Sequence, residues 1–193
     1  MIKRLTQSDI TESAYIHWEG MREDFLPGFG IPFLKKLHKY LLQSRHVIGL
    51  GIFEEKQLMG VLFAAISTQK AMNYVYRHGY FEFLPHLIKR LVTSPGDIKF
   101  LWETMFYSRN RPDSPECEIL ILSLRQTARR QGYGSQLISG LKNELSRQNV
   151  DLFKVGTLIT NLSANNFYKK TGGVFKENFR IYGKIWNVYY YKV

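Results

Sequence analysis

A run that is apolar after its first residue apart from Ser123, Glu118-Ile119-Leu120-Ile121-Leu122-Ser123-Leu124, leads without a break into Arg125-Gln126-Thr127-Ala128-Arg129-Arg130-Gln131-Gly132-Tyr133-Gly134-Ser135. Beyond it, Leu137, Ile138, Leu141 and Leu145 fall on one helical face. The order is strand, tight glycine loop, helix, and the strand reads as a central one buried on both faces. Glycines at a helix mouth let backbone N–H groups approach an anion, and the helix adds about half a positive charge there. The loop is therefore expected to hold phosphate. It is not a Walker loop, because Ser135 and Gln136 follow Gly134 with no lysine, and Leu137 stands where the dinucleotide fingerprint needs its third glycine. From the loop alone, an ordinary glycine turn before an amphipathic helix stays open.

The rest of the chain divides into strand and helix patterns. Residues 2–5 read as a short strand, and Thr6 with Asp9 forms a capping pair for a helix to about Arg22. Phe25-Leu26-Pro27-Gly28-Phe29-Gly30 interrupts, either as an acceptor-side loop or as a plain helix connector. Pro32 suits a first helical turn, and Phe33, Leu34, Leu37, Tyr40 and Leu41 stripe a second helix ending near Ser44. Residues 47–53 and 58–67 form a hairpin, one or two helices extend from Gln69 to about Thr93, and residues 108–115 form an exposed loop. After the helix at 136–147 come a strand at 152–159 and a short helix at 163–170, stopped by Gly172-Gly173. Strands at 174–182 and 186–192, joined through Gly183-Lys184, close the chain.

At 193 residues, 45% of them hydrophobic, one domain with a substantial core is expected over 1–193. No apolar run approaches the ~18 residues of a membrane span, and Met1-Ile2-Lys3-Arg4-Leu5 passes at once into polar residues, so a cytoplasmic protein away from membranes is expected. The single Cys117 excludes an internal disulfide framework and reads as a packing thiol. His17, His38, His46, His78 and His86 show no ligand spacing, and no metal is assigned. Lys and Arg number 27 against 16 Asp and Glu, a formal charge of +11 that invites a nucleic-acid reading. The cations are spread as Lys3-Arg4, Lys35-Lys36, Lys89-Arg90, Arg129-Arg130 and Lys169-Lys170, not gathered in one arm, so nucleic acid is disfavoured and a polyanionic cofactor suffices.

Arg129-x-x-Gly132-x-Gly134 resembles the Q/R-x-x-G-x-G/A pyrophosphate loop of the GNAT superfamily of N-acetyltransferases. Asn161-x-x-Ala164-x-x-Phe167-Tyr168-x-x-x-Gly172 resembles a second segment of that family, with Gly173 where phenylalanine is usual and Phe175 as its replacement. The element order agrees along the whole chain. The resemblance implies an α/β (α+β) GNAT fold: a mixed, mostly antiparallel twisted sheet of about six to seven strands flanked by helices. Residues 68–115 are then a helical insertion between strands 3 and 4, on the acceptor side. The implied reaction moves acetyl from acetyl-CoA to a primary amine of a small molecule or a peptide by direct attack.

On that resemblance, Tyr168 is the general acid for the departing thiolate, and Glu118 is the base, with Glu116 and Glu103 as rivals and an ordered water as the alternative. Backbone groups of Leu122 and Leu124 meet the thioester and pantetheine. The N–H groups of Arg129, Arg130, Gln131, Gly132, Tyr133 and Gly134, with the Ser135 hydroxyl, hold pyrophosphate. Asn161 meets pantetheine amides, and Asn165 or Lys169 reaches the nucleotide end. The resemblance leaves a homodimer open. Acceptors within its reach include an amino sugar, a protein N-terminus, a lysine side chain, a polyamine and an aminoglycoside. A non-catalytic CoA-binding module would keep the loop but need neither acid nor base.

Overall fold

The computed structural model describes residues 1–22, 24–100, 103 and 114–193, so most of the loop expected at 108–115 lies outside the described residues. Strands β1 (Ile2–Arg4), β2 (Val47–Glu54), β3 (Gln57–Ala65), β4 (Glu118–Leu124), β5 (Leu152–Leu158), β6 (Val174–Ile181) and β7 (Lys184–Lys192) form one sheet in the order β1-β2-β3-β4-β5-β7-β6. Neighbours are antiparallel except β4 and β5, which run parallel. A parallel neighbour requires a crossover, and the helix after the glycine loop supplies it.

The central strands carry apolar residues at successive positions because both faces are covered. Val61, Phe63 and Ile121 join a cluster with Ile16, Leu34, Leu41, Val75 and Phe83, contributed by helices α1 (Ile10–Gly20), α2 (Ile31–Gln43) and α3 (Thr68–Thr93). Leu50, Leu62 and Ile119 join a second cluster with Leu137, Leu141 and Tyr168, from helices α4 (Tyr133–Ser146) and α5 (Leu162–Lys170). The period-2 alternation of a strand sends neighbours such as Val61 and Leu62 into opposite layers, and the register shift at Leu120 moves Ile119 to the layer opposite Ile121. The segment from Gln69 becomes one long helix that continues through Pro85 and forms most of the insertion between β3 and β4.

Local chemistry sets the boundaries that position the site. Thr6 N–H and its hydroxyl both donate to the Asp9 carboxylate at 2.8 Å, and α1 begins one 3-10 turn later than a direct cap would place it. The last residue of α1 is Gly20, packed so closely over β4 that a Cβ would lie 2.0 Å from the Ser123 hydroxyl oxygen. That hydroxyl donates to Ile16 O at 2.8 Å, and Arg125 clamps the same helix through Glu12 and reaches Leu58 O at 2.7 Å. Helix α1 is thereby laid across the end of β4. Among the described residues no helix is long and apolar enough to cross a membrane.

Two expectations shift. The final hairpin turns at Tyr182 and Gly183, both with positive φ, one residue earlier than the pattern suggested. Phe175 does not replace the missing phenylalanine: it is 47% exposed, and the Tyr191 ring lies where a Cβ on Gly173 would point.

Candidate active site

Pairing between β4 and β5 covers only Glu118 with Lys154 and Ile119 with Val155, after which the two strands part. Successive N–H groups of a strand point to opposite edges. Arg125 N–H is bonded to Met59 O on the β3 side, so the N–H groups of Leu124 and Leu122 face the opening toward β5. The gap widens into two contiguous clefts of about 440 and 550 Å³, both lined by Gly20, Leu122, Arg129, Asn161, Ala164 and Tyr168. The second runs on to Leu124, Arg130 and Gly134.

The far end of this cleft is the mouth of α4. Gly132 sits at the N-cap with φ 83°, a left-handed conformation that costs other residues about 1–2 kcal/mol, and Arg130 also has positive φ. No side chain caps the helix, and its first backbone bond within the turn is Gln136 N–H to Gly132 O. The N–H groups of Tyr133, Gly134 and Ser135 thus precede the first possible intrahelical acceptor. Helix α4 begins three residues earlier than the apolar stripe indicated, because the left-handed Gly132 starts it. The Arg129 N–H instead closes a turn onto Gln126 O, which takes it out of the expected anion cradle, while its side chain stays in the cleft. The Gln131 side chain is held by Thr127 O at 2.7 Å.

Tyr168 lines both clefts, where β4 and β5 diverge. It is 7% exposed, and burial, with Tyr191 and Asp24 adding electrostatic pressure, raises its pKa above that of an ordinary phenol. The phenol therefore stays protonated and able to donate. Asn161 lines the cleft, with its Oδ1 accepting from Ala164 N–H at 3.0 Å as the cap of α5. Asn165 is a correction. It is buried, its amide donates to Leu158 O and Asn161 O, and its Oδ1 accepts from Asn187 and Tyr189, so it knots α5 to β5 and β7 and does not reach for a nucleotide.

Adjoining the cleft at Met21, Ile119 and Trp186 is a smaller cavity of about 180 Å³, lined by His17 and Asp24, by Glu118 on β4, and by Phe25, Leu26 and Pro27 from the segment between α1 and α2. Phe179, Tyr182 and Trp186 from the final hairpin complete it. The Pro-Gly-Phe-Gly segment is a 3-10 turn whose Pro27 is buried in this wall. Trp186 borders both this cavity and the cleft, and its buried indole N–H has no hydrogen-bond partner among the described residues.

Glu118 is 5% exposed and not a solvated strand end. Its Oε2 lies 3.3 Å from the Thr68 hydroxyl, which also reaches Glu116 O at 3.0 Å, and 3.9 Å from the Lys154 ammonium, a pair set up by the parallel register. Of its rivals, Glu116 is exposed and Glu103 accepts from Tyr182 N–H. Burial pushes the Cys117 thiol up to about 12, which suits a packing group and not a nucleophile.

Spacing and composition assign no role to His17 and His38. Both are buried, with His17 Nδ1 3.0 Å from His38 Nε2 and His38 Nδ1 2.8 Å from the Ser13 hydroxyl. Burial lowers the His17 pKa to about 4, and burial together with His17 holds His38 well below the usual imidazole range. A signal for them exists: Ser13 and His17 are polar residues one turn apart on the apolar face of α1.

The chain belongs to the acetyltransferase (GNAT) family, whose family model matches residues 18–173, and is an N-acetyltransferase by that membership. A search of curated proteins finds no match. The fold is similar to that of a ribosomal-protein-alanine N-acetyltransferase from Brucella melitensis, at 13% identity and TM-score 0.65, covering 100% of this chain and 99% of that one. It is also similar to a variant of the spermidine N-acetyltransferase SpeG from Vibrio cholerae, at 12% identity and TM-score 0.62, covering 100% and 92%. A streptothricin acetyltransferase from Bacillus anthracis, solved in complex with acetyl coenzyme A, shares 14% identity over 81% of this chain and 67% of that chain, at TM-score 0.51.

Proposed function

We propose that this chain transfers an acetyl group from acetyl-CoA to a primary amine of a small molecule or peptide. The observation that carries the reading is the parting of β4 from β5 after Ile119–Val155, with Tyr168 at the junction and an uncapped helix mouth at the far end. The residues fit the cofactor. The N–H groups of Leu122 and Leu124 face the gap for pantetheine or the thioester oxygen, and those of Gly132, Tyr133, Gly134 and Ser135, with the Arg129 and Arg130 side chains, suit a pyrophosphate. Acetyl-CoA, when bound, supplies an activated acyl group.

The smaller cavity takes the acceptor. Amines of pKa near ~10 enter as cations, and the carboxylates of Glu118 and Asp24 line the cavity that receives them. Glu118 serves as the carboxylate through which the ammonium loses its first proton. Tyr168, kept protonated by its burial, donates to the departing sulfur. Acid and base on opposite sides of one junction favour catalysis over a passive CoA-binding module.

The test is CoA thiol release against a panel holding an amino sugar, an N-terminal peptide amine, spermidine and an aminoglycoside. Tyr168→Phe should lower turnover by about 10²-fold while leaving the melting temperature in place, because no described residue bonds the phenol oxygen. Equal turnover in the two chains would remove Tyr168 from the acid role.

A further inference from the structure

Two donor counts are open to the two buried imidazoles, and one of them keeps every contact. In that one Ser13 Oγ donates to Ile10 O at 3.1 Å and accepts from His38 Nδ1–H at 2.8 Å, whereas the reverse count turns the hydroxyl to His38 and gives up Ile10 O. His38 Nε2, in a neutral ring, is then an acceptor, and at 3.0 Å it takes the hydrogen of His17 Nδ1. That leaves a lone pair on His17 Nε2. No described residue bonds this nitrogen, it is not among the sealed unpartnered polar atoms, and His17 lines the cavity beside Glu118.

From this geometry we propose that His17 is a catalytic residue: its Nε2 accepts a hydrogen bond from the incoming amine and takes the surplus proton of that nitrogen as the new amide forms. His38 and Ser13 are positioning residues that fix the tautomer. The inference rests on the acyl-transfer reading and deepens it. The protons balance. The ammonium first loses one proton toward solvent by way of Glu118. The neutral nitrogen forms the N–C bond as the C–S bond breaks, His17 Nε2 receives the nitrogen's extra proton, and Tyr168 gives one to the sulfur. His17 then gives its proton to solvent and Tyr168 regains one from solvent, for a net release of one proton.

The surroundings agree with that role. Asp24 follows α1, Glu118 comes from β4, Tyr182 from the hairpin turn and His38 from α2, and among the described residues these are the ionisable groups that line the cavity with His17 or bond to its ring. Two carboxylates line the same cavity, and a buried imidazole kept neutral has its lone pair available at neutral pH. The walls of Phe25, Leu26, Phe179 and Trp186 suit an amine whose neighbouring atoms are apolar. An engineered apolar cavity of about 150 Å³ holds a benzene ring, so 180 Å³ admits an amine-bearing group of that size while a longer body remains outside.

Long-range 1H–15N NMR of the histidine rings in the intact chain, without ligand, tests the tautomer directly. Both rings should be neutral at pH 7, with Nδ1 protonated and Nε2 bare. A proton on His17 Nε2, or a His17 titration near 6.5, would overturn the proposal. In the CoA-release assay, His17→Gln should lower kcat by about 10²-fold with a smaller change in KM for the amine. Ser13→Ala retains both rings and should give a smaller fall in kcat together with mixed tautomers. If His17→Gln does not fold, the Ser13→Ala chain and the wild-type tautomer decide. Transfer by wild type that His17→Gln leaves within threefold removes this role alone. No transfer to any amine in the panel removes the acyl-transfer reading and this role with it.

Discussion

The cleft between β4 and β5 and the smaller cavity meet at Met21, Ile119 and Trp186, yet they are built from different material. The cleft presents mainly backbone: N–H groups of a splayed strand and an uncapped helix mouth, with Gly132 holding the turn. The cavity presents side chains from α1, the segment after it, β4 and the final hairpin. On the proposed acyl-transfer reading, backbone groups would recognise what is common to every thioester and pyrophosphate, whereas side chains could be exchanged to suit one amine. The difference teaches where generic binding ends and specificity begins.

Asn165 offers the harshest test of that division, because it lies under the cleft without belonging to it. Asn165→Leu would strand the Asn187 amide and the Tyr189 hydroxyl, while the Leu158 and Asn161 carbonyls keep their backbone donors. At about 1–3 kcal/mol for each buried group left unpaired, offset by relaxation, a net loss of about 2–4 kcal/mol is expected in urea unfolding. Acetyl-CoA affinity in the folded fraction should hold. Weakened binding with unchanged stability would put Asn165 back among the ligand-facing residues.

The cavity side should reveal itself in acid. His17 has its folded pKa lowered from 6.5 to about 4, so between those values the unfolded chain binds more protons and stability falls as pH falls. Each tenfold difference in proton affinity between the folded and unfolded chain is worth about 1.4 kcal/mol, so the loss should reach about 3 kcal/mol by pH 4. His38 moves in the same direction. Unfolding measured at pH 7 and pH 4.5 should show it, and His17→Gln should flatten the slope. Equal slopes for the two chains would mean that the pair is not held neutral.

How far the sequence could be read follows the same line. The strand, glycine loop and α4 are contiguous and bring Leu122, Leu124 and the loop amides into place within some fourteen residues of sequence, and the Asn161 to Gly172 segment adds Tyr168. The sequence could propose those positions because local backbone geometry needs particular residues at particular spacings. Asn165 was misassigned because helical spacing does not say which way a polar side chain faces once β7 packs against it. Arg129 was half right, with its side chain in the cleft and its N–H spent on Gln126. The histidine pair was hidden because α1 and α2 supply one ring each, 21 residues apart.

The smallest effect sharpens the backbone side. A Cβ on Gly132 would meet nothing within 4 Å, so Gly132→Ala perturbs only the left-handed backbone, at about 1 kcal/mol. The KM for acetyl-CoA should rise several-fold and the amine KM should stay where it is. A change confined to the amine KM would contradict the assignment of the helix mouth to the cofactor.

The most direct measurement of the cofactor assignment is thermal unfolding with saturating acetyl-CoA, with NADH and ATP as controls. At about 100-fold over its dissociation constant a native-state ligand adds roughly 2.7 kcal/mol, or about 5–10 °C for a chain of this length. A rise of that size with acetyl-CoA and not with the controls is expected. A cooperative melt that acetyl-CoA leaves unmoved would contradict it.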